Sequence, residues 1–509
     1  MSLIVLIIWP LAGGLLAWLV GRWNKTWPRW ISLAVLALHL CVLMVIGVQA
    51  LGQVTPDSQE AWAIDFTQPW IPQWGVAIHL AMDGLSFLLL LLVDFLGIVA
   101  VAASWIGIQE RVGFFHFNLL WILAALVGVF LALDLVLFYF FWEMMLVPLY
   151  FLIGIWGHEN RVYATLKFFI FTQASGLLML LSILGLYFLH GQDTGTYTFD
   201  YLELLGTSIS PSTAMWLMLG FFAAFAVKLS AVPVHTWLPD AHTEAPTAGS
   251  VILAGLVLKA GAYGLLRFLV PLFPEVAFRF APVAMILGGA GIIYGAILAF
   301  AQTDLKRLVA YTSISHMGFV LVGIFAWNQL ALQGAVVVML AHGVTTGALF
   351  VLVGYLQERM HTRDLRRLGG LWSAVPAMGG VALFLAAASL GLPGLANFVG
   401  EFLVLLGAYL INRPLVVVAA LGFILAAVYA LWMIQRTFAG PNREGWRFPD
   451  LTGRETIIMT VMIVVIVWLG LYPQPALNTA SRALETMQRY AAQSQQAIAP
   501  MQDDVGGAP

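Results

Sequence analysis

Long apolar segments follow one another along almost the entire chain, and short polar stretches separate them. Many of these segments reach the roughly 18 to 20 residues that an α-helix needs to cross the hydrocarbon core of a bilayer. They are centred near residues 12, 40, 92, 124, 146, 178, 222, 258, 290, 314, 341, 390, 426 and 465. The pattern predicts an all-α polytopic membrane protein with about fourteen transmembrane helices.

The composition agrees with this class and argues against redox or nucleotide chemistry within the chain. The 509 residues are 61% hydrophobic and only 9% charged, and the mean hydropathy is +0.93. A single cysteine, Cys41, is too few for an iron–sulfur cluster or a disulfide. The sequence also lacks a glycine-rich dinucleotide fingerprint and a P-loop. We therefore expect no cofactor or metal to be bound by this chain.

The basic residues are distributed unevenly between the two sets of alternating loops. If the first helix begins outside, sixteen Lys and Arg fall in cytoplasmic loops, whereas the opposite loops and the tail hold only Arg267, Arg279, Arg413, Arg482 and Arg489. Cytoplasmic loops carry the excess of positive charge in membrane proteins. The chain is thus predicted to be a multi-pass protein of the bacterial inner membrane with both termini in the periplasm. Its start, "MSLIVLIIWPLAGG", lacks a basic n-region and is predicted to be a retained first helix.

Five charged residues lie inside predicted spans: Glu143, Lys228, Lys259, Glu401 and Asp94. Each costs roughly 2.5 to 3.5 kcal/mol at the centre of a helix on insertion scales. Such residues are functional by default, so we expect them to face partners or water inside the bundle. Asp94 lies on an early helix, where a neutral structural role is an equally good interpretation.

Two of these residues illustrate the alternatives. Glu143, in "FYFFWEMMLVPLYF", is either a functional acid or a neutral, hydrogen-bonded packing residue. Lys228, like Lys259, lies far from the ends of its helix, and a buried lysine tends to lose its proton. That property suits a proton carrier.

Histidines in the second half of the chain provide further candidates. His316 and His342 lie in successive spans, where hydrogen-bonded structural side chains, a bis-histidine haem site and a proton wire are the possible interpretations; we favour the wire. The segment "VHTWLPDAHTEAP" adds His235, Asp240, His242 and Glu244. Their spacing does not match a typical metal site, and a channel mouth explains them as well. His235 and Asp134 are included as further candidates for a proton path.

Two predicted spans contain residues that break helices. Pro233 follows Lys228 in the seventh span, and Gly391, Pro393 and Gly394 interrupt the twelfth. Proline removes a backbone donor, so each helix should kink or unwind at these points. Broken helices in corresponding positions, five spans apart, are typical of transporters built from two inverted repeats.

This spacing predicts four parts of the chain. Residues 1–110 form helices 1 to 3 with a periplasmic loop at 52–78. Residues 111–270 form the first five-helix repeat, and 271–440 form its inverted counterpart. Residues 441–509 contain helix 14 and an amphipathic periplasmic tail.

Several long motifs resemble one family. They are "FFWEMMLVPLYFLIGIWG", "AFAVKLSAVPVHTWLPDAHTEAPTAGSVILAGLVLKAGAYGLLRF", "AFAQTDLKRLVAYTSISHMGF" and "LGLPGLANFVGEF". They resemble the antiporter-like membrane subunits of respiratory complex I, most strongly through residues 115–410. The family's fold, as the resemblance implies it, has fourteen helices and two inverted five-helix repeats.

The resemblance also assigns roles to individual residues. Glu143 and Lys228 match the family's paired glutamate and lysine on helices five and seven, and Lys259 matches the central lysine of helix eight. Glu401 matches the acidic residue of helix twelve. The L-type and N-type subunits resemble one another in having lysine at that last position, so Glu401 favours the M type.

The resemblance implies proton translocation driven by NADH oxidation and quinone reduction in other subunits. NADH, FMN, iron–sulfur clusters and quinone are expected there. The implied partners are other membrane-arm subunits, especially the L-type and N-type ones, and the lipid bilayer, but not nucleic acid. The alternatives are a membrane subunit of a multisubunit hydrogenase or cation/proton antiporter, and a free-standing secondary transporter. A passive scaffold does not explain the costly intramembrane charges.

The predicted topology is directly testable. Because the distribution of loop charges places both termini outside, a reporter fused after Pro509 should behave as a periplasmic reporter. Alkaline phosphatase and green fluorescent protein fusions give opposite signals on the two sides. A cytoplasmic signal would show that the number of spans is wrong by one.

Overall fold

The structure is a computed structural model that describes residues 3–53 and 62–505. Twelve helices in this part of the chain are long and apolar enough to cross a membrane. They are α2 (Trp27–Gln53), α3 (Gly84–Ala103), α4 (Val112–Leu131), α5 and α6 as one span (Leu135–Met144 and Leu146–Trp156), α7 (Arg161–Thr194), α9 (Pro211–Leu229), α11 (Thr247–Leu272), α12 (Pro274–Phe300), α13 (Leu305–Ala326), α14 (Gln329–Met360), α17 (Arg413–Thr437) and α18 (Gly453–Leu471).

The described chain also contains elements outside these twelve spans. The apolar ones are α1 (Ile4–Val20), α15 (Pro376–Ser389) and α16 (Ala396–Tyr409). The others are α8 (Tyr201–Leu204), α10 (Trp237–Glu244), α19 (Gln474–Val505), and the strands β1 (Ile64–Ile71) and β2 (Val76–Met82). The prediction of an all-α polytopic membrane protein is confirmed. The count of fourteen spans, which requires α1 and the α15–α16 pair to cross as well, stays a prediction.

Both predicted helix breaks are present. Helix α9 ends at Leu229, one residue after Lys228, and Ser230 then adopts a left-handed conformation with φ of 65°. Helix α15 ends at Ser389, and the turn to α16 uses Gly391 and Gly394 at φ of 80° and 93°. Glycine adopts this conformation at little cost. The backbone groups freed at these points lie next to ionisable side chains.

Two irregularities were not predicted. A break at Met145 separates α5 from α6 directly after Glu143 and Met144. Helix α11 contains two π-helical turns, Leu253–Val257 and Leu265–Leu269, on either side of Lys259. Each π-turn changes the direction of the carbonyls that follow it, and such turns are frequent at functional sites.

Three helices form the centre of the bundle. In α11, α13 and α14, the whole stretch that is long enough to cross the membrane is buried inside the protein. Close packing brings α9 against α11, because a Cβ on Gly261 would lie 2.7 Å from backbone atoms of Phe225 and Leu229. The helix that carries Lys228 can therefore approach the one that carries Lys259.

Arg267 and Lys306, both predicted to lie in loops, lie in helices instead. Arg267 lies inside α11 and is only 1% exposed, and Lys306 lies in the first turn of α13 and is fully buried. Lys306 donates a hydrogen bond to the carbonyl of Ala245. Hydropathy could not place these residues, because both lie near the predicted ends of spans. The excess of basic residues on the predicted cytoplasmic side remains.

The predicted loop at 52–78 also contains regular structure, and its residues 54–61 lie outside the described chain. Strands β1 and β2 form an antiparallel hairpin in which Thr67 pairs with His79. His79 lies between two carboxylates: it forms a short hydrogen bond with Asp200, and its Nε2 lies 3.2 Å from Asp65. The hairpin is thus fixed to the segment that precedes α8.

The C-terminal helix α19 agrees in part with the predicted tail. It is amphipathic, and one side packs against the bundle through Ala476, Ala480, Ala483, Leu484 and Met487. The described part of this helix therefore covers the bundle and is not free in solvent. Residues 506–509 lie outside the described chain.

Because two carboxylates surround His79, we expect the stability of the fold to depend on pH. Burial opposes its charge, but hydrogen bonds with Asp200 and Asp65 outweigh burial and raise the pKa of His79 to about 9. A raised pKa in the folded state stabilises the fold fully below the ordinary histidine pKa, and this contribution is lost as the pH rises through about 9. The melting temperature of the solubilised complex with wild-type chain should exceed that with His79→Gln at pH 6.5. The gap should close by about pH 10.

A substitution at Gln68, an exposed residue of the same hairpin, provides the control. Gln68→Ala should leave the melting temperature unchanged at every pH. A gap between wild type and His79→Gln that stays constant from pH 6.5 to 10 would contradict the charged state of His79.

Candidate functional site

Lys259 lies at the centre of the bundle and is completely buried. Its ammonium nitrogen, Nζ, is 2.5 Å from the carbonyl oxygen of Ala254, within the first π-helical turn, and 2.7 Å from Nδ1 of His342 on α14. A buried charge is tolerated only where hydrogen bonds replace its hydration. The π-turn and the histidine supply those bonds.

The polar chain continues from His342 to a second histidine and an acid. The rings of His342 and His316, on α13, lie 5.4 Å apart between centroids. His316 Nδ1 is 2.6 Å from Oε1 of Glu401, which lies on α16 just after the helix break. Lys259, His342, His316 and Glu401 therefore form one buried series that crosses from α11 to α16.

The second nitrogen of His316 also has partners. Its Nε2 lies 3.4 Å from both the Ser389 hydroxyl and the Tyr429 hydroxyl. Ser389 is the last residue of α15, so the break places it within reach of the ring. His316 is thus held between an acid on one side and two hydroxyl groups on the other.

Glu143 and Lys228 lie on α5 and α9, in the other half of the bundle. They are close enough for electrostatic attraction, but no direct ion pair between them occurs in the described structure. Lys228 Nζ instead lies 4.4 Å from the centroid of the Trp142 ring, a cation–π arrangement. Glu143 Oε1 has no hydrogen-bond partner and faces Gly176 on α7.

Several buried polar atoms near the two broken segments have no hydrogen-bond partner within the described protein. They are Glu143 Oε1, Ser230 Oγ, His235 Nδ1, both ring nitrogens of His242, and His342 Nε2. Buried polar groups are normally bonded to protein or to ordered water.

The segment after Pro233 does not assemble its four candidate side chains. Asp240 forms ion pairs with Lys167 at 2.7 Å and Arg307 at 2.8 Å. His242 is stacked on Phe350, with ring centroids 4.6 Å apart. Within the described residues, no group of three His, Cys, Asp or Glu could hold a metal ion.

His235 and Asp134 are separated from the central series. The His235 ring contacts Tyr294, with centroids 5.2 Å apart. Asp134 caps α5 by accepting hydrogen bonds from the amides of Val136 and Leu137, and it also accepts one from Ala77 in the hairpin. A role in proton transfer stays a prediction for both residues.

Asp94 has a partner that the sequence did not reveal. Both of its oxygens lie 2.8 Å from Nδ1 of His39, and His39 Nε2 lies 2.9 Å from the carbonyl of Leu6. The histidine and the acid are each 1% exposed. This bonded set ties α1, α2 and α3 together.

Three contributors to the site were missed from the sequence: Ser389, Tyr429 and Trp142. Ser389 precedes Pro393 by four residues, so the helix break itself was a usable signal. Trp142 adjoins Glu143, but its position over Lys228 depends on how α5 packs against α9. Tyr429 is distant in the sequence and had no signal at all.

The chain is similar to known proteins both in sequence and in fold. Residues 132–427 match the family model described as NADH:quinone oxidoreductase/Mrp antiporter, TM. The chain is 53% identical over 495 residues to NADH-quinone oxidoreductase subunit M of Pseudomonas aeruginosa, covering 95% of this chain and 97% of the relative. It is 50% identical over 494 residues to NADH-quinone oxidoreductase subunit M of Escherichia coli K12, and the match covers 95% of this chain and 97% of that relative.

A solved structure extends the likeness to the fold. A chain of respiratory complex I from Thermus thermophilus with bound NADH superimposes with a TM-score of 0.86 at 31% sequence identity. The match covers 96% of this chain and 100% of that one. The family match and the likeness of fold define an antiporter-like membrane subunit of complex I. This chain belongs to the subunit M family of the NADH-quinone oxidoreductases.

Proposed function

We propose that the chain translocates protons across the bacterial inner membrane as a subunit of the membrane arm of NADH:quinone oxidoreductase. NADH oxidation with FMN and iron–sulfur clusters, and quinone reduction, would take place in partner subunits and drive it. Neighbouring L-type and N-type subunits would be its direct partners. The observation that carries the proposal is the buried series from Lys259 through His342 and His316 to Glu401.

Each member of that series can exchange a proton with the next. Lys259 Nζ and His342 Nδ1 share a hydrogen bond, so a proton on the ammonium has an acceptor at 2.7 Å. His342 and His316 each have two ring nitrogens that can take up and release protons. The His342 ring does not contact the His316 ring through a direct hydrogen bond, so a water molecule or a ring rotation must complete this step. Glu401 then accepts the proton at the far end.

Glu143 and Lys228 would control how protons reach Lys259. An anion within about 4 to 6 Å stabilises a lysine ammonium, and its withdrawal favours release of the proton. Lys228 lies over Trp142, and Glu143 Oε1 has no hydrogen-bond partner, so the two side chains are not joined by a direct hydrogen bond in this arrangement. The end of α9 directly after Lys228 would allow the lysine to move between the two arrangements. Such a pair is a two-state element that a neighbouring subunit can bias.

The two halves of the chain would form two half-channels in inverted repeats. In this proposal α4 to α11 form the first repeat, and α12 to α17 form the second. Support comes from the corresponding breaks after Leu229 and after Ser389, which lie beside Lys228 and Glu401 respectively. Backbone that is broken at membrane depth is tolerated where it lines a hydrated cavity. Protons would enter from the cytoplasm at the first break and leave to the periplasm at the second.

Glu143 provides the first test of this function. Removing its charge leaves Lys228 without its counter-ion, and stranding a buried charge costs roughly 3 to 5 kcal/mol. Glu143→Gln and Lys228→Ala should each reduce proton pumping and the coupled quinone reductase activity at least about tenfold. Pumping is measured by fluorescence quenching of a pH dye in inverted membrane vesicles. Immunoblotting of native gels verifies assembly.

The matched control is Glu143→Asp, which keeps the charge and moves it by only one methylene. It should retain a large part of both activities. Near-normal pumping by an assembled Glu143→Gln enzyme would refute the role of Glu143 and leave it as a neutral packing residue.

Glu401 provides a second, independent test at the opposite end of the series. Because its Oε1 lies 2.6 Å from His316, Glu401→Gln should remove the final acceptor and strongly reduce pumping. Glu401→Asp should recover part of it, since the carboxylate is retained. The same vesicle assay applies. Unchanged pumping by Glu401→Gln would mean that protons leave by another route.

A further inference from the structure

Arg267 is a buried charge that the proposed relay does not use. It lies in the second π-helical turn of α11, two turns beyond Lys259. Tyr263 lies between them, and Arg267 Nε donates a hydrogen bond to its hydroxyl at 3.2 Å. Lys259 and Tyr263 are four residues apart in regular α-helix, so they share a face. A column of polar groups therefore runs from Lys259 towards the predicted periplasmic end of α11.

The outer end of this column is closed by an ion pair. Arg267 is 1% exposed and forms a short hydrogen bond with the Asp83 carboxylate, which is itself 4% exposed. The other Asp83 oxygen accepts a hydrogen bond from the Ser86 amide at 2.9 Å and so caps α3. The ring of Trp62 covers the guanidinium, 4.7 Å from its centroid. The pair is thus fixed by three different elements.

We propose that Arg267, held by Asp83, is an electrostatic seal that prevents protons from passing between Lys259 and the periplasm along α11. The inference rests on the proposed function, because a seal has a purpose only if Lys259 carries protons. It adds to that function a reason why protons leave through Glu401 and do not return along the shorter path.

The hydrogen bonds in the column support a seal and not a second relay. A guanidinium does not lose its proton in proteins, so Arg267 cannot pass one on. The Tyr263 hydroxyl receives the bond from Arg267 and donates to the Phe130 carbonyl at 3.0 Å, so its proton points away from Lys259. A peptide carbonyl cannot carry the proton further. Among the described residues, the Tyr263 hydroxyl contacts the Phe130 carbonyl, the Arg267 guanidinium and, at 3.5 Å, the Ser86 hydroxyl, so the way along α11 towards Asp83 passes the guanidinium.

The positive charge of Arg267 and the orientation of the Lys259 ammonium also oppose proton transfer along this column. A fixed cation in a low-dielectric environment repels an approaching proton, and arginine excludes protons in some membrane pores by this means. The Lys259 ammonium points the other way, to the Ala254 carbonyl and His342. Asp83 offsets the cost of burying the guanidinium. The guanidinium is bonded both to Tyr263 and to Asp83, so the cation is the first charge that a proton from Lys259 would meet.

Passive proton influx tests the seal without any need for pumping. Purified complex is reconstituted into proteoliposomes, a potassium diffusion potential is imposed with valinomycin in the absence of NADH, and an internal pH dye reports influx. Arg267→Gln, and the double variant Arg267→Gln/Asp83→Asn, should each raise influx about tenfold, which corresponds to a barrier lowered by roughly 1.4 kcal/mol. The double variant replaces the ion pair by two neutral amides of similar shape, so it keeps the hydrogen-bonding groups.

Two variants that keep a cation at position 267 separate a seal from a structural clamp. Asp83→Asn leaves the guanidinium in place, and Arg267→Lys keeps a cation, so both should show wild-type influx. Arg279→Gln, an exposed arginine on the same predicted side, is the control for surface charge. A clamp would instead make Asp83→Asn leak as much as Arg267→Gln, and that result would overturn the proposal. Wild-type influx in the assembled double variant would overturn it as well.

Adding Lys259→Ala to the double variant identifies the route. Influx should return to the wild-type level, because the leak is proposed to pass through Lys259; a leak that persists would refute the seal. Failure of the proposed function is distinguishable, since it would appear as normal NADH-driven pumping by Glu143→Gln and would not alter passive influx.

Discussion

The structure depends on the cost of burying an ionisable amine, that of Lys259, in the middle of a closely packed bundle. Two hydrogen bonds to Lys259 offset this cost. The π-helical turn before Lys259 presents the Ala254 carbonyl to its Nζ, and His342 on the neighbouring α14 provides a second partner. Both require α11, α13 and α14 to pack around each other, and in each of these helices the stretch that is long enough to cross the membrane is buried inside the protein. The hydrogen bonds that stabilise Lys259 therefore form only when these helices pack closely.

The buried charges fall into two groups that differ in how completely they are bonded. Arg267 with Asp83, and His39 with Asp94, have partners on every side and join helices permanently. Glu143, His342 and His242 each leave at least one buried polar atom without a protein partner. Unbonded polar groups in a low-dielectric interior are costly, and such cost persists mainly at functional sites. Two of these three residues, Glu143 and His342, lie along the proposed proton path.

The broken helices explain how a rigid bundle can contain groups that change state. Each break ends a helix beside an ionisable residue: α9 ends one residue after Lys228, and α15 ends at Ser389, which faces His316. A continuous helix would hold its side chains at fixed positions along its axis. A helix end permits a small rotation of the last turn at little cost to packing elsewhere. The seal proposed at Arg267 shows the opposite design, because Arg267 does not lie at a helix break and Asp83 is fixed as the N-terminal cap of α3.

The sequence by itself determined the membrane class, the helix breaks and the four central candidates. It could do so because apolar length, proline and glycine positions, and charge within apolar segments are local properties of the chain. It did not determine that Lys306 and Arg267 are buried, since both lie near the ends of spans where hydropathy is ambiguous. Nor did it reveal the partners that decide what each charge can do. His342 reaches Lys259 across 83 positions in the chain, Glu401 reaches His316 across 85, and Arg267 reaches Asp83 across 184. These contacts follow from helix packing, which joins residues that no local pattern relates.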